Sequence, residues 1–412
     1  MSRITLATLT FLTFWLTGCS PDLAPVYTPI PLPLWTATPT PFQPFDPASP
    51  SPTLTQPPAV TATPLPVTET STATLPVYLV FPLGVPLGSN PLTGLLPQEP
   101  ACLERRPVAV KIANYPRDVR PQYGLTQADH IFEYYIEDGL TRFIAIFYGK
   151  DASRAGPIRS ARYFDEHIVR MYQASFVFAG ADARVEKYLL ESDLLPILIV
   201  QRDDNCPPLC IDKRIKGYSN LFVDTSGVGE YLAYRGADNS RPALESGYYA
   251  NYAPLAGPVA GRVFFRYSAF DYNYWEYDPT RQQYVRYQET SDVLNNKPPA
   301  YELLTDALTS QPVVADNLFV LYVTHNFRTE GEAADQVFHI DLINSGDAFV
   351  FRDGRGYSVK WNRLDTNQPL VITDASGAPF PLKMGVMFFQ VIGVSSTYNV
   401  EGGDWFFEFH VP

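Results

Sequence analysis

Three arginines, Arg142, Arg159 and Arg162, are the groups best suited to holding an anion. Ser160 has the character of a helix N-cap, which would put Arg162 in the first turn and Arg159 just ahead of it. Cations at that end oppose the helix dipole, which favours negative charge there. They need a counter-ion. One choice is a bound phosphate or carboxylate, gripped by guanidinium forks and free backbone N–H groups. The other is an internal acid, drawn from Asp129, Glu133, Glu137 and Asp138. Glu133 and Glu137 read as one strand, whose even spacing puts both on one face. Four strand residues span roughly 13 Å, long for a glycosidase-type carboxylate pair unless the side chains converge. Ion pairing with the arginines is the better use of these acids, and no catalytic residue is assigned.

Cysteine and histidine offer less. Cys206 and Cys210, separated by Pro-Pro-Leu, can close a small loop by disulfide in an oxidising compartment or remain two thiols. Cys102 then lacks a partner unless it bonds one of them. No histidine lies near that pair, and His130, His167, His325, His339 and His410 show no ligand spacing, so neither metal nor cofactor is expected. GxSxG, P-loop, Rossmann and HExxH patterns do not occur. A stretch from Tyr248 to Tyr287 is rich in aromatics. Alternate strand residues share a face, so Trp275 and Tyr277 can stack with a cross-strand Tyr284, as core packing or as a platform for glycan or peptide.

These residues need elements to position them. Arg106 to Ile112, Asp129 to Glu137 and Arg142 to Tyr148 read as strands, the last two joined at Asp138-Gly139. Ser160 to Ala174 reads as a helix, with Ile168, Met171 and Tyr172 at i, i+3 and i+4. Phe176 to Ala179 and Ile197 to Val200 are strands flanking a helix from Ala183 to Glu191. Beyond Tyr252 the pattern turns to short strands and Gly-containing turns, with a hairpin reversing at Asp278-Pro279-Thr280-Arg281. The predicted fold class is α+β. A mixed α/β N-terminal lobe, residues 77–250, precedes a mostly antiparallel β C-terminal lobe, residues 251–412.

Composition sets the wider frame. The 412 residues carry 31 basic and 43 acidic side chains, a net charge of −12. That argues against a protein that coats nucleic acid. An apolar fraction of 46% supports a sizeable core, while 39 prolines and only 18% charged residues imply an extra, uncharged, disordered segment. Ser20 to Pro76 fits, with 16 Pro and 12 Thr. Proline fixes φ and removes N–H donors, which excludes regular ladders. At about 3.1 Å per residue the segment is a spacer of roughly 170 Å contour. Ahead of it, Arg3 precedes an apolar run from Ile4 to Leu16, too short to span a bilayer but suited to the core of a signal peptide, residues 1–18. The run ends in Leu16-Thr17-Gly18-Cys19, which resembles the lipobox of bacterial lipoproteins. The resemblance implies lipidation of Cys19, a lipid bilayer as partner through that acylated N-terminus, and a place on the bacterial cell membrane facing outside the cytoplasm. Residues 19–76 would tether the folded part.

A longer resemblance runs through the rest. Asn90-Pro91-Leu92-Thr93-Gly94-Leu95 is followed by Arg106-Pro107-Val108-Ala109-Val110-Lys111-Ile112-Ala113-Asn114 and Arg120-Pro121-Gln122-Tyr123-Gly124-Leu125. Then come Gln127-Ala128-Asp129, Glu133, Glu137, Gly139-Leu140-Thr141-Arg142-Phe143 and Gly156-Pro157-Ile158-Arg159-Ser160-Ala161-Arg162. In this order the series resembles the YerB-type bacterial lipoprotein family, domain of unknown function 3048. Phe349-Val350-Phe351-Arg352-Asp353-Gly354, Val359-Lys360-Trp361 and Thr373-Asp374-Ala375-Ser376-Gly377 resemble its C-terminal domain. Two departures stand out. Val386-Met387-Phe388 replaces a Thr-Trp pair, and Gly217-Tyr218-Ser219-Asn220-Leu221 lacks a His before the Asn. The resemblance implies an extracytoplasmic lipoprotein of two domains and supplies no activity. The expected function is a cell-envelope binding or scaffolding protein with an Arg-lined anion site. Its partners would be a phosphorylated glycopolymer, peptidoglycan or an envelope protein. The alternatives are an enzyme acting on phosphorylated or lipid-linked wall glycopolymers, with the same arginines stabilising charge, and an accessory factor of wall-synthesis machinery.

Overall fold

The structure, a computed structural model, describes residues 86, 88–202, 205–244, 247–254, 257–295, 297–327 and 338–410, and the backbone of the strand Tyr78–Val80. The signal peptide, Cys19 and the 19–76 linker lie outside the described residues. The first half of the described chain forms β1 (Val108–Ala113), β2 (His130–Tyr135), β3 (Thr141–Phe147), α1 (Tyr163–Tyr172), β4 (Ser175–Phe178), α2 (Ala183–Leu190), β5 (Leu198–Val200) and α3 (Val228–Tyr234). The second half contributes β6 (Arg262–Arg266), β7 (Tyr272–Asp278), β8 (Gln283–Glu289), β9 (Asn317–Val323) and β10 (Asn344–Arg352). It ends with β11 (Arg355–Arg363), β12 (Val371–Thr373), β13 (Met387–Gly393), β14 (Thr397–Glu401) and β15 (Asp404–Glu408). The chain is sheet-rich, and its α-helices among the described residues all precede residue 250.

Ten strands make one sheet in the order β12-β11-β10-β9-β13-β2-β3-β1-β4-β5. Five come from each side of residue 250. The seam is a parallel pairing of β13 with β2, Met387 opposite His130 and Val391 opposite Tyr134. A second sheet runs Tyr301–Leu303, β8, β7, β6, β15, β14. Layers cover both faces of the ten-stranded sheet, so its central strands are apolar on both sides, as in the fully buried VAVKIA of β1. On one face α1 buries Phe164, Ile168, Met171 and Tyr172, with the Tyr134 and Phe164 rings 4.5 Å apart. On the other, Trp275 packs on Phe388 at 4.7 Å and Phe351 on Trp405 at 5.1 Å.

Three sequence expectations are corrected here. The helix begins at Tyr163, not Ser160, with Arg162 at its N-cap. The preceding backbone is already committed: Arg159 N–H donates to the Lys111 carbonyl and Ala161 N–H to Gly180, bridging the ends of β1 and β4. Asp165 then caps the helix by accepting the Arg162 N–H at 2.7 Å. Second, β2 ends at Tyr135, so Glu137 lies in the turn to β3 and not on the strand of Glu133. Third, Trp275 is not in an aromatic stack with Tyr284. It is buried opposite Arg286, while Tyr277 stands opposite Tyr284 with ring centroids 5.4 Å apart. The outer face of the second sheet instead carries a row Phe406, Phe264, Tyr274, Tyr287, stacked at 4.8, 5.0 and 4.6 Å. Phe264 and Phe406 of this row also line a cavity of about 450 Å³ with Tyr272 and Tyr301.

Candidate functional site

β1 and β4 run parallel, so their carboxyl ends, Ala113 and Phe178, lie on the same side of the sheet. Open α/β sheets place ligands at such ends. β3 is antiparallel to both its neighbours, so Arg142 at its start stands opposite Ala113 on one side and Tyr134 on the other. The segment leading into α1 brings Arg159 and Arg162 to the same edge.

The guanidiniums of Arg142 and Arg162 share acceptors. Arg142 Nη1 donates to the Ser160 carbonyl at 2.8 Å, and Arg162 Nη1 reaches that carbonyl at 3.4 Å and the Ala161 carbonyl at 2.8 Å. Both also face Glu137. Arg162 Nε donates to Oε2 at 2.7 Å and Nη2 to Oε1, while Arg142 Nη2 lies 4.0 Å from Oε1. Arg159 differs: it donates to the Tyr218 carbonyl at 3.2 Å and to Ser219 Oγ at 3.1 Å, both neutral. The ring of Tyr218 is fully presented to solvent at 89% exposure. Ser219 occupies the position where the histidine expected from the family pattern is missing, so that departure lies against Arg159.

Beneath the arginines is a buried cluster that sequence reasoning passed over. Lys111 Nζ donates to Tyr134 Oη and, at 3.0 Å, to Asp165 Oδ1, which also accepts from Tyr134 Oη at 2.6 Å. None of the three side chains reaches solvent. Burial, with Arg142 and Arg162 adding to it, pushes the Lys111 ammonium down to about 7 against the pull of Asp165. Burial also lowers all three arginines, and Arg142 lowers Arg159 further. Among the described residues, three guanidiniums and an ammonium thus gather around the carboxylates of Glu137 and Asp165. Asp118 and Asp182 act only at longer range, both exposed, with Asp182 already paired to Arg184. The one hint in the sequence was a lysine inside the apolar run Val108–Ala113.

The other predicted acids sit elsewhere. Glu133 faces the second sheet, pairs with Arg286 there and accepts from Gln390 Nε2 of the neighbouring β13 at 2.8 Å. Thr141 Oγ1 lies 2.8 Å from both Glu133 Oε1 and Asp271 Oδ2. Arg120 and Glu289 continue this buried network at 2.8 Å. Asp129 meets no arginine; it accepts the Tyr148 and Gly149 N–H groups and Asn90 Nδ2, and ties loops together. Asp138 occupies a left-handed turn position, φ 56°, after Glu137. Glu137 thus joins the arginines, while Glu133 and Asp129 are engaged elsewhere.

Cys206 and Cys210 form a disulfide with Cα atoms 4.8 Å apart. Cys102 is a buried thiol beside Glu99 and Asp151. Those three could surround a cation, but Asp151 is already paired with Arg105 at 2.6 Å, and burial pushes the thiol up to about 11. A protonated thiol beside a neutralised carboxylate is a poor donor set.

Comparison with known proteins matches residues 92–238 to the N-terminal domain and residues 263–389 to the C-terminal domain of the protein of unknown function DUF3048. The chain is 29% identical over 325 residues to "Putative lipoprotein YerB" of Bacillus subtilis (strain 168), covering 76% of this chain and 89% of that one. Its fold is similar to the crystal structure of the YerB protein from Bacillus subtilis, with a TM-score of 0.59 and 24% identity, over 74% of this chain and 96% of the other.

Proposed function

The chain belongs to the YerB-type DUF3048 family, and we propose that it is a lipid-anchored, extracytoplasmic binding protein that grips an anionic group of the cell envelope through Arg142, Arg159 and Arg162. The lipoprotein name of its Bacillus relative supports the anchor, as does the position of Cys19 after the apolar run. Asp118 and Asp182 aside, the observation that carries the anion site is the surplus of cations over the carboxylates in contact with them. Arg159 in particular meets, among the described residues, neutral acceptors, which leaves its charge to a ligand. The ligand class is a phosphorylated glycopolymer or a related wall fragment, which the spacer allows the folded part to reach at a distance from the membrane.

Thermal melting of the full chain against inorganic phosphate, pyrophosphate, polyprenyl-phosphate analogues and wall fragments tests this, with Arg159→Ala alongside. A ligand at 100 times its dissociation constant adds about 2.7 kcal/mol to stability. The reading requires a shift with a phosphorylated ligand that Arg159→Ala removes. No shift with any of them, and a variant that only melts lower, would make the arginines structural.

A second reading, catalysis on the same phosphorylated polymers, is favoured by Lys111. An ammonium held near neutrality beside Tyr134 is the kind of group that transfers protons. Turnover that follows Lys111 while phosphate binding follows Arg159 would separate this reading from simple binding.

A further inference from the structure

We propose that Glu137 is a built-in occupant of the arginine site, and that a doubly charged phosphoryl group displaces it. This rests on the anion-site reading and names the ligand class and its control. Glu137 presents Oε2 to Arg162 Nε at 2.7 Å and Oε1 to Nη2, with Arg142 Nη2 4.0 Å from Oε1. That two-pronged arrangement is how an arginine holds a carboxylate or phosphate ligand. Here the chain supplies it.

Glu137 is placed to leave. It lies beyond the end of β2, in a turn closed by Ile136 N–H to the Leu140 carbonyl and Leu140 N–H to the Glu137 carbonyl. Its side chain is 30% exposed, against 16% for Arg142 and 15% for Arg162. It is therefore more exposed than either arginine it pairs with, and its departure breaks no strand pairing. Solvent screening keeps a partly exposed pair of this kind weak.

Charge selects the ligand. With Glu137 gone, Asp165 is the carboxylate among the described residues that Arg142 and Arg162 still face, and it is already engaged by Lys111 and the Arg162 N–H, while Arg159 keeps its contacts to Tyr218 and Ser219. Asp118 and Asp182, both exposed, act on Arg159 and Arg162 without a hydrogen bond or ion pair to them. A monocarboxylate would restore only what Glu137 provides, and in free solution it competes against a tethered rival of high effective concentration. A phosphomonoester or pyrophosphate brings a second charge and oxygens enough to engage Arg159 as well.

Calorimetric titration of the full chain with inorganic phosphate, pyrophosphate and acetate tests this in the wild type, Glu137→Gln and Arg159→Ala. If the internal carboxylate fills nine sites in ten, Glu137→Gln binds phosphate about tenfold more tightly than wild type, the cost of a competing state being its population. Acetate then binds the Glu137→Gln variant but not the wild type, and Arg159→Ala loses phosphate. Should Glu137→Gln fail to fold, Glu137→Asp, one methylene shorter, loosens the same contact. Phosphate binding that needs Arg159 yet is no tighter in either Glu137 variant overturns the displacement and leaves the anion site standing. No phosphate or pyrophosphate binding in wild type or variant overturns both.

Discussion

Glu133 and Arg286 lie 153 positions apart in the chain and meet at 2.8 Å with neither side chain exposed. The glutamate comes from β2 and the arginine from β8, so the pair ties the ten-stranded sheet to the second one. The Arg286 guanidinium also lies 5.2 Å from the Phe143 ring, 5.4 Å from Trp275 and 5.0 Å from Phe388, and donates to Gln288.

Breaking that pair leaves a bare charge in the interior. Glu133→Gln or Arg286→Met alone is expected to cost about 3–5 kcal/mol, the usual penalty for removing one partner of a buried pair. The double variant should lose less than the sum, because it strands neither charge. Denaturant midpoints of the four proteins check this; strict additivity would mean that the two residues are energetically independent.

The same network makes stability depend on pH. Thr141 Oγ1 contacts both Glu133 and Asp271, yet a hydroxyl has one hydrogen, so one of the two carboxyls must hold a proton for both contacts to be hydrogen bonds. Burial and the nearby Glu133 push Asp271 up to about 6, so it takes up that proton at mildly acidic pH. Burial and Asp271 push Glu289 up to about 8 despite Arg120. A carboxyl raised on folding binds protons more tightly in the native state, so its contribution is complete below the unfolded value near 4 and is lost as pH rises through the folded one. The contribution of Asp271 and Glu289 should therefore fall by about 1–3 kcal/mol between pH 5 and pH 8, against the opposite trend of the buried His130, His167 and His325, and it is read as the difference between wild type and Glu289→Gln. Urea unfolding at pH 5, 6.5 and 8 reads this directly.

Lys111 acts with the opposite sign. Its ammonium is lowered to about 7 in the fold, against about 10.4 in an unfolded chain. The folded state sheds this proton first, so the burial penalty is full below pH 7 and is relieved as pH climbs towards 10. Between pH 7 and 9 this group should add about 1–3 kcal/mol of stability. Lys111→Met lacks that rise. Comparing the alkaline arms of the two unfolding curves decides the point; identical slopes would mean that Lys111 stays charged.

Cys102 should resist thiol reagents. The thiol is buried and pushed up to about 11, so the reactive thiolate is scarce at pH 8. Alkylation followed by mass spectrometry of the Cys102 peptide should show little label in the native chain and complete label after denaturation. Rapid native labelling would show that the segment around it opens readily.

Much of this protein is legible in the residues alone. The family was readable because its short motifs keep their order along the chain. Most strands and the cores of α1 and α2, though not α3, were readable because burial periodicity is local, as with Ile168, Met171 and Tyr172 on one face of α1. The proposed anchor and spacer rest on composition and on the position of Cys19. The partners of the charged residues were not readable in the same way. Glu133 looked like a mate for Arg142 or Arg162, yet it meets Arg286 across the sheet–sheet interface. Ser160 looked like a helix cap, yet its backbone belongs to a bridge between β1 and β4, and the helix waits for Arg162. Lys111 looked like part of a strand, and its place beneath the arginines depends on α1 delivering Asp165. The physical reason is range. Hydrophobic period and turn chemistry act over a few residues, whereas an ion pair is chosen by whichever charges the completed sheets bring within about 4 Å, where low dielectric makes a missing partner costly.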